Sequence, residues 1–218
     1  MTMTIVKSAI TTLLLTVAVA LPTAARTVRD FFAAEQNGIF MSLTHDDRLD
    51  MLDYYEAGQN MPITNNFGGT TSIDTLSANY MKLRTSASSH VELLMATSKR
   101  DTVLYVVQTV LLPAADSHVV AYDTEWNELN ISKHFKMPSL DDFIVIPKGD
   151  KTHKKADLAT MVKMPSMECS IDPATGRMTI TPTVQGTMTR EDYDILRPYL
   201  TDSITFELKG TKYRAIDN

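Results

Sequence analysis

Between Thr102 and Leu112 the chain reads TVLYVVQTVLL, a run so uniformly apolar and β-branched that as a strand it needs cover on both faces. An alternating strand needs cover on one. The segments around this run are therefore expected to bury it. His90 to Thr97 and His118 to Asp123 read as neighbouring strands, joined to it by the polar turn Ser98-Lys99-Arg100-Asp101 and by Pro113 to Asp116. Links this short permit antiparallel neighbours and exclude parallel crossovers. Tyr80 to Thr85 sets Met81 and Leu83 against Lys82 and Arg84, the pattern of an edge strand with one wet face. The expectation is a sheet of four with the long run inside it.

Cover for one face comes from upstream. Thr27 to Gln36 spaces Val28, Phe31 and Phe32 as the apolar side of a short helix, ended by Gly38. A second helix opens at Thr44 as N-cap with Asp47 three residues on, carries Leu49, Leu52 and Tyr55 at helical spacing, and closes at Gly58. Its Asp46, Asp50 and Asp53 fit a solvated face favoured by the helix dipole, and neighbouring His45 has no second His or Cys at ligand spacing. Gln59 to Asn79 is rich in Asn, Gly, Thr and Ser, with Phe67 and Ile73 isolated, and reads as a loop holding at most one short strand. Asn65-Asn66-Phe67-Gly68-Gly69 lacks the Lys-Ser/Thr of a P-loop, so turn chemistry is its reading.

Downstream, Glu125 to Asp157 is loop-like, with turns of helix near Leu140–Phe143 and Ala156–Met161 and a basic piece, Lys148 to Lys155, that suits a linker. Val162 to Ile171 and Met178 to Val184 form strands around a hairpin loop with Gly176. A helix capped at Thr189 follows, then a last hairpin turning at Lys209-Gly210. The fold class is α+β: antiparallel meander sheets with helices packed on one face, possible as two stacked α+β units or as one continuous sheet. The corresponding organisation is a signal peptide at 1–25, helices plus meander at 26–130, a connecting segment at 131–160, and C-terminal strands with one helix at 161–218.

The signal peptide rests on Lys7, the apolar run Ser8 to Leu21, and the small residues Thr23-Ala24-Ala25 ahead of Arg26. That run is shorter than the roughly 20 residues a spanning helix requires, and no later stretch qualifies, so the mature chain is expected to lack a transmembrane segment. The formal charge of −5 becomes one unit more negative when Lys7 is removed, which argues against nucleic acid or an anionic membrane as the main partner. The one cysteine, Cys169, permits no internal disulfide, and it alternates with Met167 and Ile171 on one strand face, the position of a core residue.

Candidate chemistry is sparse. Asp116, Ser117 and His118 are consecutive, but adjacent side chains on a strand point to opposite faces, and no G-x-S-x-G elbow is present. Asp116 and Ser117 suit a turn closed by side-chain to backbone bonds. The five histidines are scattered and no calcium loop occurs, so no metal site, no cofactor and no catalytic residue is expected. The most distinctive pattern couples Pro113-Ala114-Ala115-Asp116-Ser117 to Tyr122-Asp123-Thr124-Glu125-Trp126. The only tryptophan sits just after a strand, where it either caps the sheet end or anchors a recognition surface.

These residues, with the helix carrying Leu43-Thr44 and Arg48-Leu49-Asp50-Met51, Tyr55-Glu56-Ala57-Gly58 and the Asn/Gly-rich segment, resemble a family of exported proteins of unknown function found in Bacteroidales. The resemblance implies a Gram-negative envelope address, periplasmic or secreted, and carries no activity. The functional expectation is a non-enzymatic exported binding module that recognises an envelope protein or component, with Asp116, Ser117, Tyr122, Asp123 and Trp126 as candidate binding residues. The alternative is a small hydrolase or small-ligand carrier with its site assembled near Asp116–Trp126. A third possibility is a structural subunit of an envelope assembly, which predicts a large exposed apolar patch.

Overall fold

The computed structural model describes residues 25–216; the run Ser8–Leu21, and the export signal expected there, lie outside the described residues. Two helices, α1 (Val28–Ala34) and α2 (His45–Glu56), precede six strands: β1 (Ile63–Thr64), β2 (Thr70–Leu76), β3 (Tyr80–Ser86), β4 (Ser89–Thr97), β5 (Thr102–Val110) and β6 (Asp116–Tyr122). The six form one antiparallel meander in chain order. After two short helices, α3 (Leu140–Phe143) and α4 (Lys155–Met161), come β7 (Met167–Ile171), β8 (Met178–Pro182), α5 (Arg190–Leu196), β9 (Ile204–Lys209) and β10 (Lys212–Ala215). These four strands make a second antiparallel sheet ordered β10-β9-β8-β7. The fold is α+β, mostly strands.

The cover that β5 demands is supplied by two different layers. Val103, Tyr105 and Val107 pack with Cys169, Ile171, Met178, Ile180 and Phe206 of the smaller sheet. Leu104 and Val106, on the opposite face, pack with Phe31, Phe32 and Leu52 of the helices. Helix α2 starts as its sequence dictates: Thr44 Oγ1 accepts the Asp47 N–H at 3.1 Å, and Asp47 Oδ2 accepts the Thr44 N–H at 2.7 Å. The link between the helices is tied from inside, where Arg48 donates to the carbonyls of Leu43 and Glu35, and the Glu35 carboxylate accepts the Ile39 N–H.

Three expectations need correction. The larger sheet has six strands instead of four, because the Gln59–Asn79 stretch, read as a loop with one short strand at most, holds two, Ile63–Thr64 and the seven-residue Thr70–Leu76. The longer one is the strand that carries buried residues. It buries Thr71 and Ile73 and is irregular between Ile73 and Thr75, so its apolar alternation is too weak to read. The strand expected from Val162 begins at Met167. Val162 instead joins Leu140, Ile144, Leu158 and Leu196 in a small third cluster. The basic piece Lys148–Lys155 is an ordered contact: the Tyr199 hydroxyl donates to Asp150 Oδ2 at 2.7 Å and lies 2.9 Å from His153 Nδ1. The segment around it also supplies Phe135 and Phe143 to the core between the sheets. Among the described residues, no helix is long and apolar enough to cross a membrane.

Candidate functional site

The five candidate residues do not converge. They sit at the two ends of β6, separated by its full length of about 20 Å. At the far end Asp123 Oδ1 accepts the N–H groups of Glu125 and Asn127, each at 2.9 Å. This turn holds Trp126 at φ 63°, a left-handed conformation uncommon outside glycine. The indole is buried, donates to the Phe31 carbonyl at 3.2 Å, and meets Phe40 and Tyr122 edge-on. Trp126, 5% exposed, joins α1 to the end of the meander through this bond and these rings.

Asp116 and Ser117 belong to a different device. Strand β7 is an edge strand, and the N–H groups of Met167, Cys169 and Ile171 point away from its partner β8. Each is met by a side chain of the larger sheet: Asp116 Oδ1 at 3.1 Å, Ser117 Oγ at 2.9 Å and Glu92 Oε2 at 2.9 Å. Three acceptors thus stand in for a missing neighbouring strand, which protects the edge and docks the two sheets. Ser117 Oγ also lies 2.8 Å from Thr109 Oγ1, while His118 points to solvent. The cysteine thiol in this seam is fully buried, and burial pushes it well above its ordinary range.

Glu92 is the anchor of the seam, 1% exposed. It accepts the Tyr80 hydroxyl at 2.9 Å and Lys82 Nζ at 3.2 Å, and His90 Nε2 is 3.6 Å away. Burial drives this carboxyl up, but the His90 contact, Lys82, the Ile171 amide and Tyr80 together outweigh it and hold the group below its usual value. Burial first, then the Glu92 charge, raises the Tyr80 phenol. No group of three His, Cys, Asp or Glu that could hold a metal ion occurs among the described residues.

The near end of the larger sheet is where apolar side chains reach solvent. β5 stops at Val110, so Leu111 and Leu112 run out of the sheet, Leu112 being 69% exposed. On one side of this ridge lies a cleft of about 410 Å³, walled by Ile39–Leu43, by Asn65, Phe67 and Gly69, and by the strand ends at Val91, Gln108 and Val110. Asn65 builds its outer wall: its amide oxygen accepts the N–H groups of Phe67 and Gly69, and its nitrogen donates to Thr71 and the Thr85 carbonyl. That turn displays Phe67 at 73% exposure. On the other side, sharing Val110, a second cleft of about 420 Å³ is lined by Leu112, Pro113, Ala114, Asp116, Lys163, Met164, Pro165, Ser166 and Thr187.

Met41, Phe67, Val110, Leu111, Leu112 and Met164 are all exposed around these two clefts. No Asp, Glu, Lys or Arg lines the first, and only Asp116 and Lys163 carry such charges in the second. An apolar, charge-poor end of this kind is the surface composition of a contact region. Of the candidate residues, Asp116 alone faces it. Phe67 and the Val110-Leu111-Leu112-Pro113 run were visible in the sequence, but their exposure was not.

A family model described as a protein of unknown function, DUF3256, matches residues 20–213. No curated protein matches. The structure of a domain of an uncharacterized protein from Porphyromonas gingivalis W83 is similar to this one with a TM-score of 0.75, at 22% identity over 87% of this chain and 98% of that chain. At that identity the likeness shows a shared fold.

Proposed function

The chain belongs to the DUF3256 family of proteins of unknown function, and we propose that it is an exported, non-enzymatic binding module of a Gram-negative cell envelope. The single observation carrying this reading is the apolar end: three separate loops converge to expose Phe67, Leu112 and Met164 around two clefts almost free of charge. Binding is favoured over chemistry because the candidate nucleophiles have other work. Ser117 holds the Cys169 amide, and the Cys169 thiol is buried and protonated. The export address is supported by the Lys7 to Ala25 pattern.

The test is a crosslinked pull-down with residues 26–218 from the envelope fraction of the source bacterium, comparing wild type with Leu112→Glu and Phe67→Ser. Both side chains are exposed, so both variants should keep the wild-type melting temperature. A defined envelope protein captured by wild type and lost in Leu112→Glu is the expected result. Equal capture by all three forms would remove the apolar end as the recognition surface.

A further inference from the structure

Strand β6 is the edge of the larger sheet, and its backbone groups can be assigned residue by residue. In the β4–β5 pair the Ser98 N–H donates to the Asp101 carbonyl at the turn, and at the other end the Leu111 N–H donates to the Ser88 carbonyl. The odd-numbered residues of β5 therefore exchange backbone bonds with β4. Its even-numbered residues bond β6, through the pairs Val106–Val120, Gln108–His118 and Val110–Asp116. Ser117, Val119 and Ala121 are left with their N–H and C=O groups turned outward from the sheet.

The far part of this edge is taken by the chain itself. Asn127 to Leu129 runs antiparallel to it through the Tyr122–Glu128 bridge, with the Asp123 N–H donating to the Asn127 carbonyl at 3.0 Å and the Leu129 N–H to the Ala121 carbonyl at 2.8 Å. Continued in the same register, Ile131 would face Val119 and Lys133 would face Ser117. The chain turns away instead, because Asn130 caps the 3₁₀ turn Ile131–Lys133, its side chain accepting the Ser132 N–H at 3.1 Å. Among the described residues, no hydrogen bond reaches the outward backbone groups of Ser117 or Val119, and Ser117 bonds outside the sheet ladder only through its hydroxyl. Beside them lies a cleft of about 340 Å³, closed on its other side by Ile131, Ser132, Phe135, Lys136 and Met137. Val119, Ile131, Phe135 and Met137 belong to the core between the sheets, so the inner wall of this cleft is apolar. It shares no lining residue with the two clefts of the apolar end.

Donors and acceptors alternating along a strand edge, next to an apolar wall, are complemented by a second extended backbone. An acyl chain would cover the wall and leave the backbone groups unpaired. We infer that this edge takes an extended segment of a partner polypeptide, added antiparallel to β6 in line with Asn127–Leu129. The residue opposite Val119 exchanges both backbone bonds with it and, lying on the same face of the sheet, turns an apolar side chain toward Ile131, Phe135 and Met137. The residue two further on exchanges its bonds with Ser117. This contact is additional to the apolar end and stands without it.

The test is fluorescence anisotropy of residues 26–218 with the labelled, C-terminally amidated hexapeptide Lys-Thr-Val-Thr-Val-Lys and two N-methylated versions of it. Methyl groups on both valine nitrogens remove the donors that face β6 when the valines face the apolar wall; on both threonine nitrogens they remove donors that face away. The valine-methylated form should bind at least about tenfold more weakly than the parent, and the threonine-methylated form about as tightly as the parent. In ¹⁵N-labelled protein the parent should slow hydrogen exchange at the Ser117 and Val119 amides, and Leu112→Glu should leave its binding unchanged. Failure of the parent to bind overturns the inference, as do equal losses in the two methylated forms, protection that spares Ser117 and Val119, or loss of binding in Leu112→Glu. Displacement of the parent by dodecanoate at lower concentration than by unlabelled peptide also overturns it and makes the cleft a lipid site.

Discussion

Replacing Glu92 tests whether the two sheets are held together by a buried charge. Glu92→Leu removes the carboxylate but leaves the Tyr80 hydroxyl, the Ile171 amide and Lys82 in place without it. Removing one member of a fully buried ion pair costs about 3–5 kcal/mol. Lys82 is 33% exposed and can turn to water, which argues for the lower limit, about 3 kcal/mol. For a domain of this size that corresponds to a melting point lowered by about 6–12 °C. Glu92→Gln keeps the shape, and its carbonyl still accepts from Ile171 or Tyr80, but its NH2 faces donors; about 2 kcal/mol is expected. The pH dependence supplies the sharper check. The folded carboxyl titrates below its ordinary value of 4.5, so the unfolded chain binds more protons in the interval between the two. Its contribution is fully present above 4.5 and is lost as pH falls through the lower, folded value. Urea unfolding of residues 26–218, followed by circular dichroism at steps from neutral to acid, should therefore show the wild type converging on Glu92→Gln as pH drops. A constant gap across that range, or a Glu92→Leu variant as stable as wild type, would refute the charge as the clamp.

Trp126→Ala should be destabilised by about 3–5 kcal/mol, the range for a buried aromatic, measured by the same urea titration. Wild-type tryptophan emission should be blue-shifted until the unfolding midpoint. Gly186→Ala should cost about 1–3 kcal/mol, because the added methyl meets Pro113 and Ala114 at under 3 Å; its readout is the melting temperature, and no change would mean the loop yields freely. Cys169 should resist a thiol reagent in native protein and react stoichiometrically only in denaturant, since its thiol is buried and raised in pKa. Rapid native labelling would mean that the seam between the sheets opens.

What could be read from the residues followed from how much each signal was determined by its own neighbourhood. The strand expected over Thr102–Leu112, which ends two residues sooner at Val110, the Thr44–Asp47 cap and the turns after Thr97 and Ile171 are local statements, and the structure carries them. Strand β2 escaped because Thr70–Leu76 holds few large apolar residues and takes its place from pairing with β3. Asp116 and Ser117 were recognised as hydrogen-bonding residues, but their partners lie about fifty residues downstream, and an i-to-i+50 bond leaves no periodic trace. Glu92 was hidden for the same reason: a single carboxylate in an apolar strand looks like a surface position until Tyr80, Lys82 and Ile171 are brought around it. The clefts were missed because Phe67 and Leu112 have the same side chains whether buried or exposed.

The location of the apolar end follows from a mismatch of lengths. A nine-residue strand such as β4 or β5 spans about 30 Å. The seven residues of α1 and twelve of α2 span about 10 and 18 Å. Helix α1 is held at the β2–β3 hairpin, where the Val28 N–H bonds the Ala78 carbonyl at 2.9 Å, so the helical layer is registered to that end of the sheet. At the opposite end the helices run out before the strands do, and only the Ile39–Leu43 and Asn65–Gly69 loops remain as walls. The same β5 that compels burial along its middle therefore carries Val110, Leu111 and Leu112 beyond its cover. On the binding function proposed above, this bare strand end is where a partner's apolar segment would supply the missing layer.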